Sequence, residues 1–187
     1  RRYFLFPGCS PGPDPPLPYW ASACAPNSSV VMPMAMKRTG DSWKTADDYG
    51  RSLPYFTVNL LVRDLPRSLE FYREVLGAVV TYSDADFAAL KVQELEFMLH
   101  ADHAYDHHAW FPDLTRGERR GLGAELRLLQ TDPDLIESRA RKFGATILQP
   151  SQDMPHGWRD VIIADPDGYT WAIGAALAAQ CPHRKAE

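Results

Sequence analysis

Cysteine is scarce. Cys9, Cys24 and Cys181 are the only three in 187 residues. An odd, irregularly spaced set supports neither a disulfide framework nor a zinc cluster, and a reducing, cytoplasmic setting is the default expectation. Long apolar runs are also missing. None approaches the roughly 18–20 residues of a membrane-spanning helix, so no membrane partner is expected. Positive charge is not in excess: the formal net charge of −4 leaves no basic footprint, and nucleic acid is excluded as an expected partner. Two chemical signatures are absent as well. No Ser/His/Asp or Cys/His nucleophile set can be read, and no glycine-rich phosphate loop, so no catalytic residue is assigned.

Proline, by contrast, is crowded at the start. Pro7, Pro11, Pro13, Pro15, Pro16 and Pro18 fall in one short segment that can form neither a helix nor a central strand. Residues 1–50 are therefore expected to be disordered. Arg1 stands first while Met32, Met34 and Met36 follow, so residues 1–33 are expected not to belong to the native protein. Arg1-Arg2 and Ala21-Ser22-Ala23 have the look of an export signal, but the prolines interrupt the apolar run that such a signal needs.

The pattern changes at Thr57. Residues 57–62 (TVNLLV) read as a strand, with Asp64 as cap of the next helix and Pro66 in its first turn. Leu65, Leu69, Tyr72 and Leu76 recur at helical spacing, and Gly77 stops the helix. Residues 79–82, 87–92 and 95–100 follow as strands. The order then restarts: strand 124–130, Asp132 and Pro133, a stripe of Ile136, Ala140 and Phe143, Gly144, and strands 146–149, 159–164 and 169–174. The last two flank Asp165-Pro166-Asp167-Gly168, whose residues suit a tight turn with aspartates accepting from turn amides. Two βαβββ units in matching register indicate an internal duplication. The fold class is α+β, with paired βαβββ modules forming a curved mixed sheet around a cup-shaped cavity.

Alternation divides the strand faces. Val58, Leu60, Val62, Leu126 and Leu128 suit burial under the helices. Thr57, Asn59, Glu125 and Arg127 lie on the opposite face, which can line a polar small-molecule pocket.

Asp64-Leu65-Pro66-Arg67-Ser68-Leu69-Glu70-Phe71-Tyr72, running on to Leu76-Gly77, resembles the DLxRSxxFYxxxLG segment of the vicinal oxygen chelate superfamily. Gly157-Trp158-Arg159 and Asp165-Pro166-Asp167-Gly168-Tyr169 resemble the closing strands of its second module. The superfamily includes glyoxalase I, fosfomycin-resistance proteins, extradiol dioxygenases and bleomycin-resistance proteins. The resemblance implies one domain over residues 55–174, made of modules 55–101 and 122–174 and followed by a tail of residues 175–187. It also implies a cup, often completed by a homodimer, and a divalent metal held by one His, Gln or Glu at each of about four places. Those places here are Thr57, Met98, Glu125 and Ala172. Only Glu125 is a strong ligand type, whereas a catalytic metal takes about three protein ligands.

Two functional readings follow. One is a metal-free small-molecule binder resembling the bleomycin-resistance branch, with a role in antibiotic resistance by sequestration. Its ligand-binding residues would be Thr57, Asn59, His100, Trp110, Glu125, Arg127 and Trp158. The other is a lyase, isomerase or dioxygenase with a displaced metal on His100 and Glu125, or an acid–base pair formed by the same two residues. His103, His107, His108, Asp102 and Asp106 fall in the connector between modules and read as a solvated linker, although His103 and His107 have the spacing of one helix face. Trp171 reads as core.

Overall fold

An aspartate placed just before a proline-bearing first turn follows the first strand of each module, and both aspartates cap a helix. In the computed structural model, which describes residues 43–177, Asp64 Oδ1 accepts from the Arg67 amide at 3.0 Å and Asp132 Oδ1 from the Asp134 amide at 3.0 Å. The elements in chain order are α1 (Ala46–Ser52), β1 (Val58–Val62), α2 (Leu65–Glu74), β2 (Val79–Ser83), β3 (Phe87–Val92), β4 (Leu95–Ala101), a 3₁₀ turn (Asp102–Tyr105), α3 (Phe111–Leu114), β5 (Glu125–Leu129), α4 (Pro133–Phe143), β6 (Thr146–Asp153), β7 (Trp158–Ala164) and β8 (Thr170–Ala176). Helix α4 ends on Gly144 in the left-handed region at φ 80°, a conformation that glycine adopts without steric cost.

The expected curved sheet is resolved as two mixed four-stranded sheets, ordered β1-β4-β3-β2 and β5-β8-β7-β6, which do not close on one another. In each, the first strand of the module runs parallel to the last and the other pairs are antiparallel. Strand β6 outruns the expected stop at residue 149 and carries Pro150. A proline is tolerated there because β6 is an edge strand with register shifts around Gln149. Strand β2 is the other module's outer edge and shifts register between Val80 and Tyr82.

Two expectations are corrected. The proline-rich segment was expected to run to residue 50, but α1 begins at Ala46, with Thr45 accepting from the Asp48 amide at 3.1 Å. Residues 1–42 and 178–187 lie outside the described residues. The connector is not a plain solvated linker either. His103 and His107 share no helix: His103 sits in the 3₁₀ turn, with Nε2 2.6 Å from the buried carboxylate of Asp86. Asp102 holds buried Arg120 through two contacts of 2.7 and 2.5 Å.

One core serves both modules. Leu60, Val62, Phe97 and Leu99 of the first are buried with Leu128, Val161, Ile163, Trp171 and Ile173 of the second. Each such side chain contributes about 1.5–3 kcal/mol. Trp171 meets Tyr72 and Phe97 with ring centroids 5.8 and 5.9 Å apart, so the expected core tryptophan joins the modules.

The turn at Asp165 makes the second connection. Its Oδ1 accepts from the amides of Asp167, Gly168 and Tyr169 at 3.0, 2.8 and 2.9 Å, and its Oδ2 accepts from the Tyr72 hydroxyl of α2 at 2.5 Å. Asp167 points away from the turn. It accepts from the Arg63 amide at 3.1 Å and the Arg63 guanidinium at 3.0 Å, with Arg120 at 3.6 Å. The Tyr169 hydroxyl donates to the Leu61 carbonyl at 3.1 Å. The equivalent turn of the first module reciprocates on the end of β5, where Gln93 Nε2 donates to the Leu129 carbonyl at 3.2 Å and to Thr131 Oγ1 at 2.6 Å.

Replacing Tyr72 by Phe removes the donor to a buried carboxylate. It should cost about 1–3 kcal/mol in chemical denaturation, and a neutral result would show that the bond contributes nothing. Burial pushes the Asp165 carboxyl up to about 6, an effect the hydrogen bonds only partly offset. The folded value exceeds the unfolded value of about 3.9, so the folded chain holds this proton more tightly. The resulting stability is present below about pH 4 and is lost as pH rises through about 6. Relative to Asp165→Asn, native stability should therefore fall over that window, by up to about 3 kcal/mol. Parallel pH profiles for the two proteins would contradict this.

Candidate functional site

The faces turned away from the helices carry the candidate residues, and they gather into two clusters. On the first sheet, β1 and β4 are register partners, which sets Asn59 against Met98 and Leu61 against His100. His100 is buried, and its Nδ1 lies 2.7 Å from Asn59 Oδ1. Asn59 Nδ2 lies 2.8 Å from the Tyr105 hydroxyl. Tyr105 in turn stacks on Trp110, centroids 6.3 Å apart and planes 20° apart, while Trp110 meets His108 edge-on at 4.0 Å. Trp110 is about half exposed. A polar pair at the end of β4 thus leads through Tyr105 to an exposed aromatic surface, an arrangement that can hydrogen-bond a guest and stack on it. Tyr105 was absent from the sequence expectation. Its position five residues beyond His100 gives no periodic signal, because the 3₁₀ turn breaks the strand alternation.

On the second sheet, Glu125 and Arg127 of β5 pair at 2.9 Å, and Arg127 also reaches Asp160 of β7 at 3.3 Å. His156 Nε2 lies 3.6 Å from the same Asp160 carboxylate. Trp158 stands two residues before Asp160 and so shares its face, half-buried. Asp160 is buried, and among the described residues its Oδ1 has no hydrogen-bond partner. It fits because its register partner is Gly174, where a Cβ would overlap the carboxylate.

Thr57 takes part in neither cluster; its hydroxyl donates to the Glu96 carbonyl at 3.4 Å. No hydrogen bond or ion pair joins His100 to Glu125, so the expected acid–base pair across the cavity is not formed. The four positions implied for a metal offer a weak donor set. Met98 is buried with Phe87 and Ala89 beneath Tyr49 and Leu53, Ala172 is buried and has no donor, and Glu125 is committed to Arg127. Among the described residues, no three His, Cys, Asp or Glu side chains stand close enough to share an ion. Three clefts, of about 330, 290 and 150 Å³, open beside the Asp165 turn or between α2 and α4, and none is lined by a candidate ligand-binding residue.

Gly174→Ala should force the Asp160 carboxylate off its seat and destabilise the fold by about 1–3 kcal/mol, read by thermal or chemical denaturation. Coupling it with Asp160→Ala should recover most of that loss, and a purely additive double mutant would refute the steric link.

Comparison with known proteins places this architecture. A profile of the Glyoxalase/Bleomycin resistance protein/Dioxygenase superfamily matches residues 53–173. Uncharacterized proteins of Mycobacterium bovis and Mycobacterium tuberculosis are 28% identical over 127 residues, 65% of this chain and 82% and 74% of theirs. Among solved structures, a glyoxalase/bleomycin resistance protein/dioxygenase from Nocardioides is similar at TM-score 0.54 and 22% identity, over 76% of this chain and all of that one. A fosfomycin resistance protein from Listeria monocytogenes is similar at TM-score 0.52 and 16% identity, over 67% of this chain and 94% of that one. With duplicated βαβββ modules and a profile match across nearly all of the described region, the chain belongs to the Glyoxalase/Bleomycin resistance protein/Dioxygenase superfamily.

Proposed function

We propose that this chain binds a small, partly aromatic or cationic molecule without a resident metal and acts by sequestering it, in the manner of the bleomycin-resistance branch. The observation that carries this reading is the state of the family's ligand positions: a buried methionine, a buried alanine, a threonine turned to a carbonyl, and a glutamate already paired with arginine. Guest contacts fall to Asn59 and His100 for hydrogen bonding and to Tyr105 and Trp110 for stacking. Glu125, Arg127 and Trp158 supply a charged and aromatic rim on the other sheet. The working unit is a homodimer, and resistance to a toxic compound follows from holding it out of solution. The displaced-metal enzyme reading asks Glu125 to leave its pairing with Arg127, and among the described residues no further His, Cys, Asp or Glu stands close enough to complete a set of three ligands.

Elemental analysis of tag-free protein should find no stoichiometric divalent metal. Tryptophan fluorescence should respond to a planar cationic dye such as proflavine, unaffected by chelator and weaker in Trp110→Ala. A stoichiometric metal that disappears in Glu125→Ala would overturn the proposal.

A further inference from the structure

Strand alternation puts Glu96, Met98 and His100 of β4 on the face away from the core, yet Met98 is as buried as a core residue. The cover is α1. Its Tyr49, with Leu53, packs on Phe87, Ala89 and Met98. Tyr49 meets the Phe87 ring edge-on at 5.3 Å, and Trp43, just ahead of the helix, lies nearly parallel to Tyr82 at 5.7 Å and 18°. Two aromatic side chains from the chain's own leading segment therefore occupy the face that continues into Asn59, His100 and Tyr105. The Phe87 and His100 rings are 4.8 Å apart, which makes the two regions contiguous.

Several features distinguish this cover from core. Helix α1 has seven residues, well below the roughly 12–15 that hold helical structure unaided. Asp47, Asp48, Gly50, Arg51 and Ser52 are exposed, so Tyr49 is its main attachment. The segment leading to β1 presents Pro54, Tyr55 and Phe56 to solvent. The Tyr49 hydroxyl is buried and, among the described residues, finds no hydrogen-bond partner, a defect that an optimised core avoids. Burial first, and the charge of Glu96 second, push that hydroxyl up to about 12. Half-buried Glu96 shares this face by strand alternation, while the cation that the cover brings, Lys44, lies over the Trp43 ring at 4.3 Å.

We propose that the face of the first sheet turned away from the core is a binding site for a planar aromatic cation, and that Trp43 and Tyr49 keep it closed by occupying the ring positions themselves. A guest takes the place of the two aromatic side chains, its rings against Phe87 and Tyr82 and its positive group toward Glu96, and α1 swings away on the segment at Pro54. Affinity in the native chain is lowered by the fraction of molecules in which α1 is docked. The inference rests on the small-molecule-binding reading above and specifies both the guest and the control of that site.

The test uses the full chain, with proflavine as probe. Tyr49→Ala should bind it about tenfold more tightly than the native chain, because the docked state is weakened. Adding Glu96→Gln should weaken binding severalfold. In the native chain, the amides of Tyr49 and Leu53, which donate to Thr45 and Gly50 at 2.9 and 3.3 Å, should exchange faster with deuterium once proflavine saturates. This measurement stands even if Tyr49→Ala folds poorly. Equal affinity of native chain and variant, or unchanged exchange in α1, overturns the occlusion while leaving a binding function intact. An unchanged affinity on adding Glu96→Gln overturns the assignment of a cationic guest. Failure of both folded proteins to bind the dye overturns this inference and the proposed function together.

Discussion

Two carboxylates that must leave water hold the halves of this protein together. Asp165 and Asp167 lie in one tight turn of the second module, and both are buried. Burying such groups is costly unless donors replace water. Asp165 finds three in its own turn and the fourth in Tyr72 of the other module, while Asp167 relies on Arg63 and Arg120. Neither aspartate is satisfied unless the modules are docked. Docking also seats Trp171 between Tyr72 and Phe97, so polar and apolar complementarity enforce the same alignment. Breaking one donor strips a buried charge of part of its compensation, which is why each of them bears on the joint.

That joint uses up the helix-side faces, and the candidate residues lie on the opposite ones. There the two modules have diverged. The first presents an amide, an imidazole and a phenol in series, with aromatic rings beyond. The second presents a glutamate, an arginine and a buried aspartate seated on a glycine. The shared fold imposes strand order and face assignment. It imposes no donor set, and the positions that the resemblance implies for a metal carry here side chains that pack on or pair with their neighbours.

Much of the architecture was legible because it repeats. The Asp caps, the prolines in the first turns, Gly144 and the alternation of β1 and β5 are local signals, and each appears where local rules place it. The Asp165 turn was legible as a turn but not as a joint, since nothing local shows that Asp167 faces away from its own amides. Strand β6 was cut short at Pro150 because the sequence does not reveal that the strand is an edge. Helix α1 was hidden by the proline-rich segment before it, although Thr45 and Asp48 form a readable cap. In the first cluster, the shared face of Asn59 and His100 was legible from strand parity, and the position of Trp110 from its place in the connector. Tyr105, Asp160 and Arg120 were not, because each acts across the fold on a partner 18 to 46 residues away.

The irregularities in β2 and β6 also bear on how copies of this chain can meet. A regular edge strand presents a ladder of unpaired amides and carbonyls on which another strand can pair. One outer strand of each sheet breaks that ladder, β2 by a register shift and β6 by register shifts with a proline beside them. Growth of either sheet by strand addition is disfavoured at these two margins. At these two margins, association is thereby directed to side-chain surfaces, whose chemistry discriminates among partners, and away from backbone pairing, which accepts almost any extended chain.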